Sequence, residues 1–426
     1  MNGKGAITVP ERYVYLTGDK TLVRGIKFGL VIDFATGGLH RLNEPACKIL
    51  ECSGQVISLE KAVEILDLPG GSAEAFLQEM QAKELIAITT EPQEVSPVCD
   101  TPPPANLDFI WLEVISQCNL RCLHCYAEAP PQTTAEPSTG ELLDWMDQAA
   151  ALGCGKIQLT GGECTLRADL PKLLAHARPK FETLEIFTNA TLLDESLIRF
   201  LAENQIQVAF SFYSYKPETH DRIAGVPGSH RKTMDSLKLL LAYDVKVRGG
   251  IIGLKQNEED LEATEFFLGE LGVPSGPADP VRPCGRGRQQ DFWPENYGQC
   301  MVRSKPAFLP MRQEYCSNQH WNSCWFGKAA ISPQGEVLPC VFARDQVAGN
   351  LHEHSLARIL QDGLLSYWQL TRDKVAVCRD CEYRYICRDC RPWARGYTGD
   401  LYAKSPTCTY DPYTGEWGPS ESALKL

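Results

Sequence analysis

The chain has 426 residues, with 42 Lys and Arg against 54 Asp and Glu, for a net charge of −12. At ~150 residues per domain this length suggests two to three domains, and a 43% hydrophobic content is that of a globular rather than a disordered chain. No apolar run approaches the ~20 residues of a membrane span, the opening MNGKGAITVPERY lacks a secretory apolar region, and an acidic balance argues against nucleic acid as a partner; a cytoplasmic location is expected.

Residues 1–90 begin with short β-rich runs at 12–16 and 28–34, joined through Gly and Asp residues that suit turns. Leu42-Asn43-Glu44-Pro45-Ala46 opens a helix whose apolar spacing runs through Ala46, Ile49 and Leu50. Residues 59–66 and 75–85 repeat the helical spacing, and 85–89 reads as a closing strand. A hairpin followed by three short helices is a winged helix-turn-helix pattern. Residues 91–106, with Pro92, Pro97, Pro102, Pro103 and Pro104, form a semi-extended linker.

From 107 to 285 strand-like and helix-like runs alternate. Strands are predicted at 109–115, 156–160, 183–187, 207–212, 245–252 and 278–282, and helices at 139–152, 169–177, 194–204, 232–243 and 257–271. Such an α/β pattern implies a parallel sheet with right-handed crossovers, either doubly wound or part of a barrel, with ligands at the strand C-termini. Residues 286–426 show little period of either kind, so metal is expected to stand in for a hydrophobic core there.

Cysteine carries the chemistry. Eighteen Cys without an export signal do not suggest a disulfide framework, and their clustering favours metal binding. Cys118, Cys122 and Cys125 follow the first strand of the α/β segment. Three thiolates in eight residues can hold three irons of a [4Fe–4S] cube and leave the fourth iron open to chelate a ligand. The competing reading is structural zinc with His124 as fourth ligand, although no second knuckle lies in this segment. Cys316, Cys324 and Cys340 come later, then Cys378, Cys381, Cys387, Cys390 and Cys408. Cys47 and Cys52, in or near an apolar helix face, are expected to pack in a core.

CxxxCxxC followed by an aromatic, after the first strand of a (β/α)6 pattern, resembles the radical S-adenosylmethionine (SAM) enzymes. The resemblance implies a partial (β/α)6 TIM-like barrel in which Gly161-Gly162-Glu163 contacts the SAM amino group. It likewise implies that Ser211 contacts the ribose, that 250–254 with Ile252 packs on the adenine, and that Tyr126 sits beside it. Cys164 replaces a frequent Pro, with a packing role or, less simply, a hydrogen-donor role. The segment His220 to Gly225 departs from the family at Ala224, leaving Arg222 as the candidate for the SAM carboxylate.

Cys324, Gly335 and Cys340, followed by Cys378-x2-Cys381-x5-Cys387-x2-Cys390 and Cys408, resemble the SPASM domain with two auxiliary [4Fe–4S] clusters. By order, Cys316, Cys324, Cys340 and Cys390 would hold the first and Cys378, Cys381, Cys387 and Cys408 the second. Residues 33–46 resemble the winged-helix recognition element for ribosomal peptides, and the strand at 28–34 is expected to accept an extended leader peptide. A DNA-binding winged helix would want a basic recognition helix, and 75–85 sets Lys83 against Glu79 and Glu84.

The resemblance implies an enzyme whose 5′-deoxyadenosyl radical abstracts hydrogen from a precursor peptide to form a thioether, C–C or C–O crosslink. Flavodoxin or ferredoxin would serve as reductant. Alternatives are a peptide epimerase, with Cys164 or Cys300 as hydrogen donor, a maturase making formylglycine, and a zinc-bearing leader-binding scaffold.

Overall fold

The computed structural model describes residues 11–53, 56–67, 71–92, 98, 99, 101–131, 136–294, 308, 310–388 and 390–418; Cys300 lies outside them, as does the Cys52 side chain. Among the described residues no helix is long and apolar enough to cross a membrane.

The N-terminal unit runs β1 (Tyr13–Leu16), β2 (Lys20–Arg24), β3 (Gly29–Asp33), β4 (Leu39–Leu42), α1 (Glu44–Ser53), β5 (Ile57–Ser58), α2 (Leu59–Leu66), α3 (Ser72–Ala82) and β6 (Ile86–Thr89). Ser58 starts α2 by accepting the Lys61 N–H at 3.2 Å, satisfying one donor of the first turn. Strands β5-β1-β6 make one antiparallel sheet and β2-β3-β4 another. Val14, Val31, Cys47, Ile49 and Leu77 fill the core between strands and helices, so Cys47 packs as expected. The run at 28–34 is not a free edge. It contains β3, the middle strand, whose Val31 pairs with Leu22 on one side and His40 on the other. Its ladder groups are already used, and the outer strand beside it is β4.

The next segment alternates strand and helix: β7 (Phe109–Ile115), α4 (Thr139–Ala151), β8 (Lys156–Gly161), α5 (Leu170–Ala177), β9 (Thr183–Thr188), α6 (Glu195–Glu203), β10 (Gln207–Ser211), α7 (Pro217–Ala224), α8 (Ser229–Ala242) and β11 (Val247–Gly250). A capping box between Ser138 and Glu141 opens α4, and Asp194 caps α6. The strands lie in the order β11-β10-β9-β8-β7, all parallel and without reversal, which is barrel winding rather than a doubly wound sheet. The expected long fifth strand breaks at Ile251. Beyond it β12 (Ile252–Gly253) pairs, across α9 (Leu261–Glu270), with β13 (Asp279–Pro280).

The C-terminal segment has more hydrophobic core than its sequence suggests. Strand β14 (Lys328–Ile331) adds in parallel beside β7, followed by antiparallel β15 (Glu336–Leu338) and β16 (Gly349–Asn350), completing an eight-stranded sheet. Trp325, Ile331, Val337 and Trp368 are buried with Ile110, Leu112 and Trp145 in one core. Metal therefore does not replace a core there. A four-residue strand is too short to show a period, and its partner lies far back in the chain.

The N-terminal unit sits directly on this segment. The Ile26 N–H, in the turn between β2 and β3, donates to the Asp380 carbonyl at 2.8 Å, and Arg384 donates to the Arg24 carbonyl at 2.6 Å. Val23, Leu30 and Ile32 pack against Tyr315, Tyr383 and Tyr410. Arg41 reaches the Gly415 carbonyl at 2.5 Å.

Candidate active site

The loops after the parallel strands surround a cavity of about 170 Å³, lined by Cys118, Cys122 and Cys125 among others. The cysteine loop is held on both sides. The Arg121 and Leu123 N–H groups donate to the Ala224 and Ile223 carbonyls at 2.9 and 3.0 Å, tying it to the end of α7. Opposite, the Arg286 N–H donates to the Cys125 carbonyl at 3.1 Å and its Nε to the Cys122 carbonyl at 2.9 Å. Gly285, with φ +53°, allows this approach, because a Cβ there would overlap the Tyr126 and Cys125 carbonyls.

Burial pushes the Cys118 thiol up to about 12 and the Cys122 thiol up to about 11. Burial, then the Arg286 charge, pulls His124 down to about 4, so its ring is neutral. Both thiols thus stay protonated until a metal displaces their protons. Three soft donors on one clamped loop fit a cluster with three thiolate ligands. Among the described residues no three His, Cys, Asp or Glu side chains converge as they would on a single metal ion.

Gly161 and Gly162 line the cavity at the end of β8. Gly161 has φ +133°, and a Cβ on either would overlap the Ile115 or Gln117 carbonyl, so glycine is required for the strand ends to close. Ser211, Gly250, Ile252 and Tyr126 line the cavity too. Tyr126 meets Phe342 edge-on, with centroids 5.2 Å apart.

Glu163 does not line it. Its buried carboxylate accepts from the Thr165 N–H at 3.1 Å, the Thr165 and Thr188 hydroxyls at 2.6 Å each, and the Asn189 N–H at 2.7 Å. It braces the β9 loop. Arg222 is exposed and bonds the Gln256 carbonyl at 3.0 Å, outside the cavity; the guanidinium that lines it is Arg282. Cys164 also lies outside the lining, fully buried with its sulfur 3.6 Å from the Phe187 carbonyl, which is a packing role.

Thr188, Asn189, Tyr213, Arg282 and Phe342 line the cavity without having been singled out in the sequence, and His124, weighed above only as a zinc ligand, lines it too. Thr188, Asn189, Tyr213 and Arg282 sit at or just past strand ends, and taking those positions would have found them. Phe342 comes from the distant C-terminal segment, and no local signal points to it.

Cys340 has Cys324, Cys390 and the Arg282 guanidinium as neighbours, while Cys378 and Cys387 neighbour Cys381. Burial raises the thiols of both Cys340 and Cys381. Cys408 packs in the same apolar cluster as Cys381. Cys316 departs from the expected set. It forms a disulfide with Cys99 of the linker and packs in the cluster of Cys381 and Cys408, so the first group retains Cys324, Cys340 and Cys390.

Residues 112–268 match the model of the radical SAM superfamily and 323–382 that of SPASM, the iron–sulfur cluster-binding domain. The chain is similar to the AdoMet-dependent heme synthase of Methanosarcina barkeri, 26% identical over 71% of this chain and 97% of that enzyme. It is also similar to the subtilosin biosynthesis protein AlbA of Bacillus subtilis, 25% identical over 72% of this chain and 71% of AlbA. In fold it resembles Streptococcus suis SuiB bound to S-adenosylmethionine, with a TM-score of 0.58 at 16% identity, covering 97% of this chain and all of SuiB. The two matched domains bind [4Fe–4S] clusters, and SuiB binds SAM.

Proposed function

We propose that this radical SAM enzyme with a SPASM domain modifies a ribosomally made precursor peptide, forming a crosslink between core side chains. Residues 1–90 would hold the leader, 91–106 would tether, 107–285 would carry the SAM site, and 286–426 the auxiliary clusters. The observation that carries the reading is the groove between β4 and α3, lined by Arg41, Leu42, Phe76, Glu79, Met80 and Lys83. An extended peptide could add its backbone to the outer strand β4 while its side chains pack on α3, the mode known as β-augmentation. Tethering the leader there raises the effective concentration of the core peptide at the cavity.

Cys118, Cys122 and Cys125 would hold the SAM-binding cluster; Cys324, Cys340 and Cys390 would hold the first auxiliary cluster, and Cys378, Cys381, Cys387 and Cys408 the second. Once bound and reduced, the first of these would supply the electron for reductive cleavage of SAM. The chain's own residues orient the ligands. Gly161, Gly162, Ser211, Ile252 and Tyr126 all line the cavity, where the open glycine backbone would receive the amino group, Ser211 the ribose, and Ile252 and Tyr126 would flank the adenine. Arg282, beside Cys340 and Cys390, places a cation where the cavity meets the auxiliary site. A small flavodoxin or ferredoxin would deliver electrons.

The test is anaerobic incubation of the reconstituted enzyme with SAM, reductant and the peptide encoded beside its gene. Deoxyadenosine release with loss of two hydrogen atoms per crosslink is expected. A peptide of unchanged mass that takes up solvent deuterium would indicate epimerisation. Turnover of an iron porphyrin in place of the peptide would reassign the enzyme to the chemistry that the heme synthase's name describes.

A further inference from the structure

Tyr213 is buried two residues past the end of β10, and its hydroxyl lies 3.4 Å from the Cys122 sulfur. The residue is fixed from several sides. Its N–H donates to His220 Nδ1 at 3.3 Å, and its carbonyl accepts from Asn257 Nδ2 at 2.6 Å. Both partners are themselves buried. The ring stands edge-on to His124, with centroids 4.9 Å apart, and tilts against His220 at 5.2 Å. A cysteine sulfur bound to iron has no proton to give, so in the loaded site the phenol is the donor and the sulfur the acceptor.

We propose that Tyr213 is a positioning residue that sets the reduction potential of the cluster on Cys118, Cys122 and Cys125 by donating a hydrogen bond to the Cys122 sulfur. This rests on the reading that these three cysteines hold the SAM-binding cluster. Hydrogen bonds to cluster sulfurs are among the terms that fix iron–sulfur potentials. A donor stabilises the thiolate's negative charge, and more so when the cluster carries an extra electron, so it moves the midpoint upward. In a cavity walled by Leu120, Val281 and Phe342, little water competes for that sulfur.

The experiment is an anaerobic redox titration of the reconstituted holoenzyme and its Tyr213→Phe variant, without SAM, followed by electron paramagnetic resonance. The relevant signal is the one that changes when SAM is added afterwards. The variant is expected to titrate at a more negative potential in that signal alone, with iron content and the other waves as in the wild type. An unshifted midpoint overturns the proposal. If the wild type has no SAM-responsive signal, the cluster reading beneath it falls as well, so the two failures are distinguishable. Resonance Raman supplies a measurement on the unaltered chain. Exchange into D2O should shift an iron–cysteine stretch in the wild type and not in Tyr213→Phe; the same response in both overturns the proposal.

Discussion

His220, beneath the cavity, makes the fold sensitive to acid. Burial first, then the neighbouring His230, lowers its pKa to about 4, while Asp221 pulls weakly the other way. A base whose folded pKa lies below its ordinary 6.5 favours folding when neutral. Its contribution is therefore complete above 6.5 and declines as pH falls from there toward 4, by up to ~3 kcal/mol. Thermal unfolding between pH ~7.5 and ~5 should show a falling Tm. His220→Gln, which can still accept from the Tyr213 N–H, should flatten the slope. The same neighbourhood shows what single residues conceal. Cys118, Cys122 and Cys125 could be placed at one cavity from their spacing after the first strand, and Gly161-Gly162 through the family motif, and all five line it. Glu163 and Arg222 lie outside the cavity lining, a placement the motif does not give because side-chain direction is not written in it. Glu163 turns inward to four donors, and Arg222 turns out to solvent.

Two elements lend themselves to direct tests. The strap at Gly285 and Arg286 lies flat on the cysteine loop, so Gly285→Ala should lift it and destabilise the cluster beneath. An iron assay should read a loss of about four irons per chain, the content of one cube. The groove under α3 predicts that Phe76→Ala weakens binding of a labelled leader about tenfold while leaving iron content unchanged, as fluorescence anisotropy would report. Helices α4 and α6 were readable because Ser138 and Asp194 mark their starts. Helix α7 was not, since its buried face includes Thr219 and His220, which give no apolar stripe. The misjudged edge at 28–34 has a similar cause. Strand composition tells that a run is buried and extended, but not which neighbour pairs with it.

At the scale of the molecule, three cube sites imply about twelve irons per chain, and Cys381→Ser should leave about eight, with the SAM-responsive signal intact. That count depends on regions the sequence keeps apart. Alternating strands and helices gave a parallel sheet but left doubly wound and barrel orders open; the eight-stranded sheet needed β14, and the cavity needed Phe342, both from beyond residue 300. The turn between β2 and β3 reaches furthest. Because Ile26 is bonded to Asp380, next door to Cys381, and Val23, Leu30 and Ile32 roof the tyrosines around it, the first ninety residues are no detachable handle. Trimming them would uncover Cys381 and the tyrosines around it, so a shortened chain would be a damaged protein rather than a simplified one.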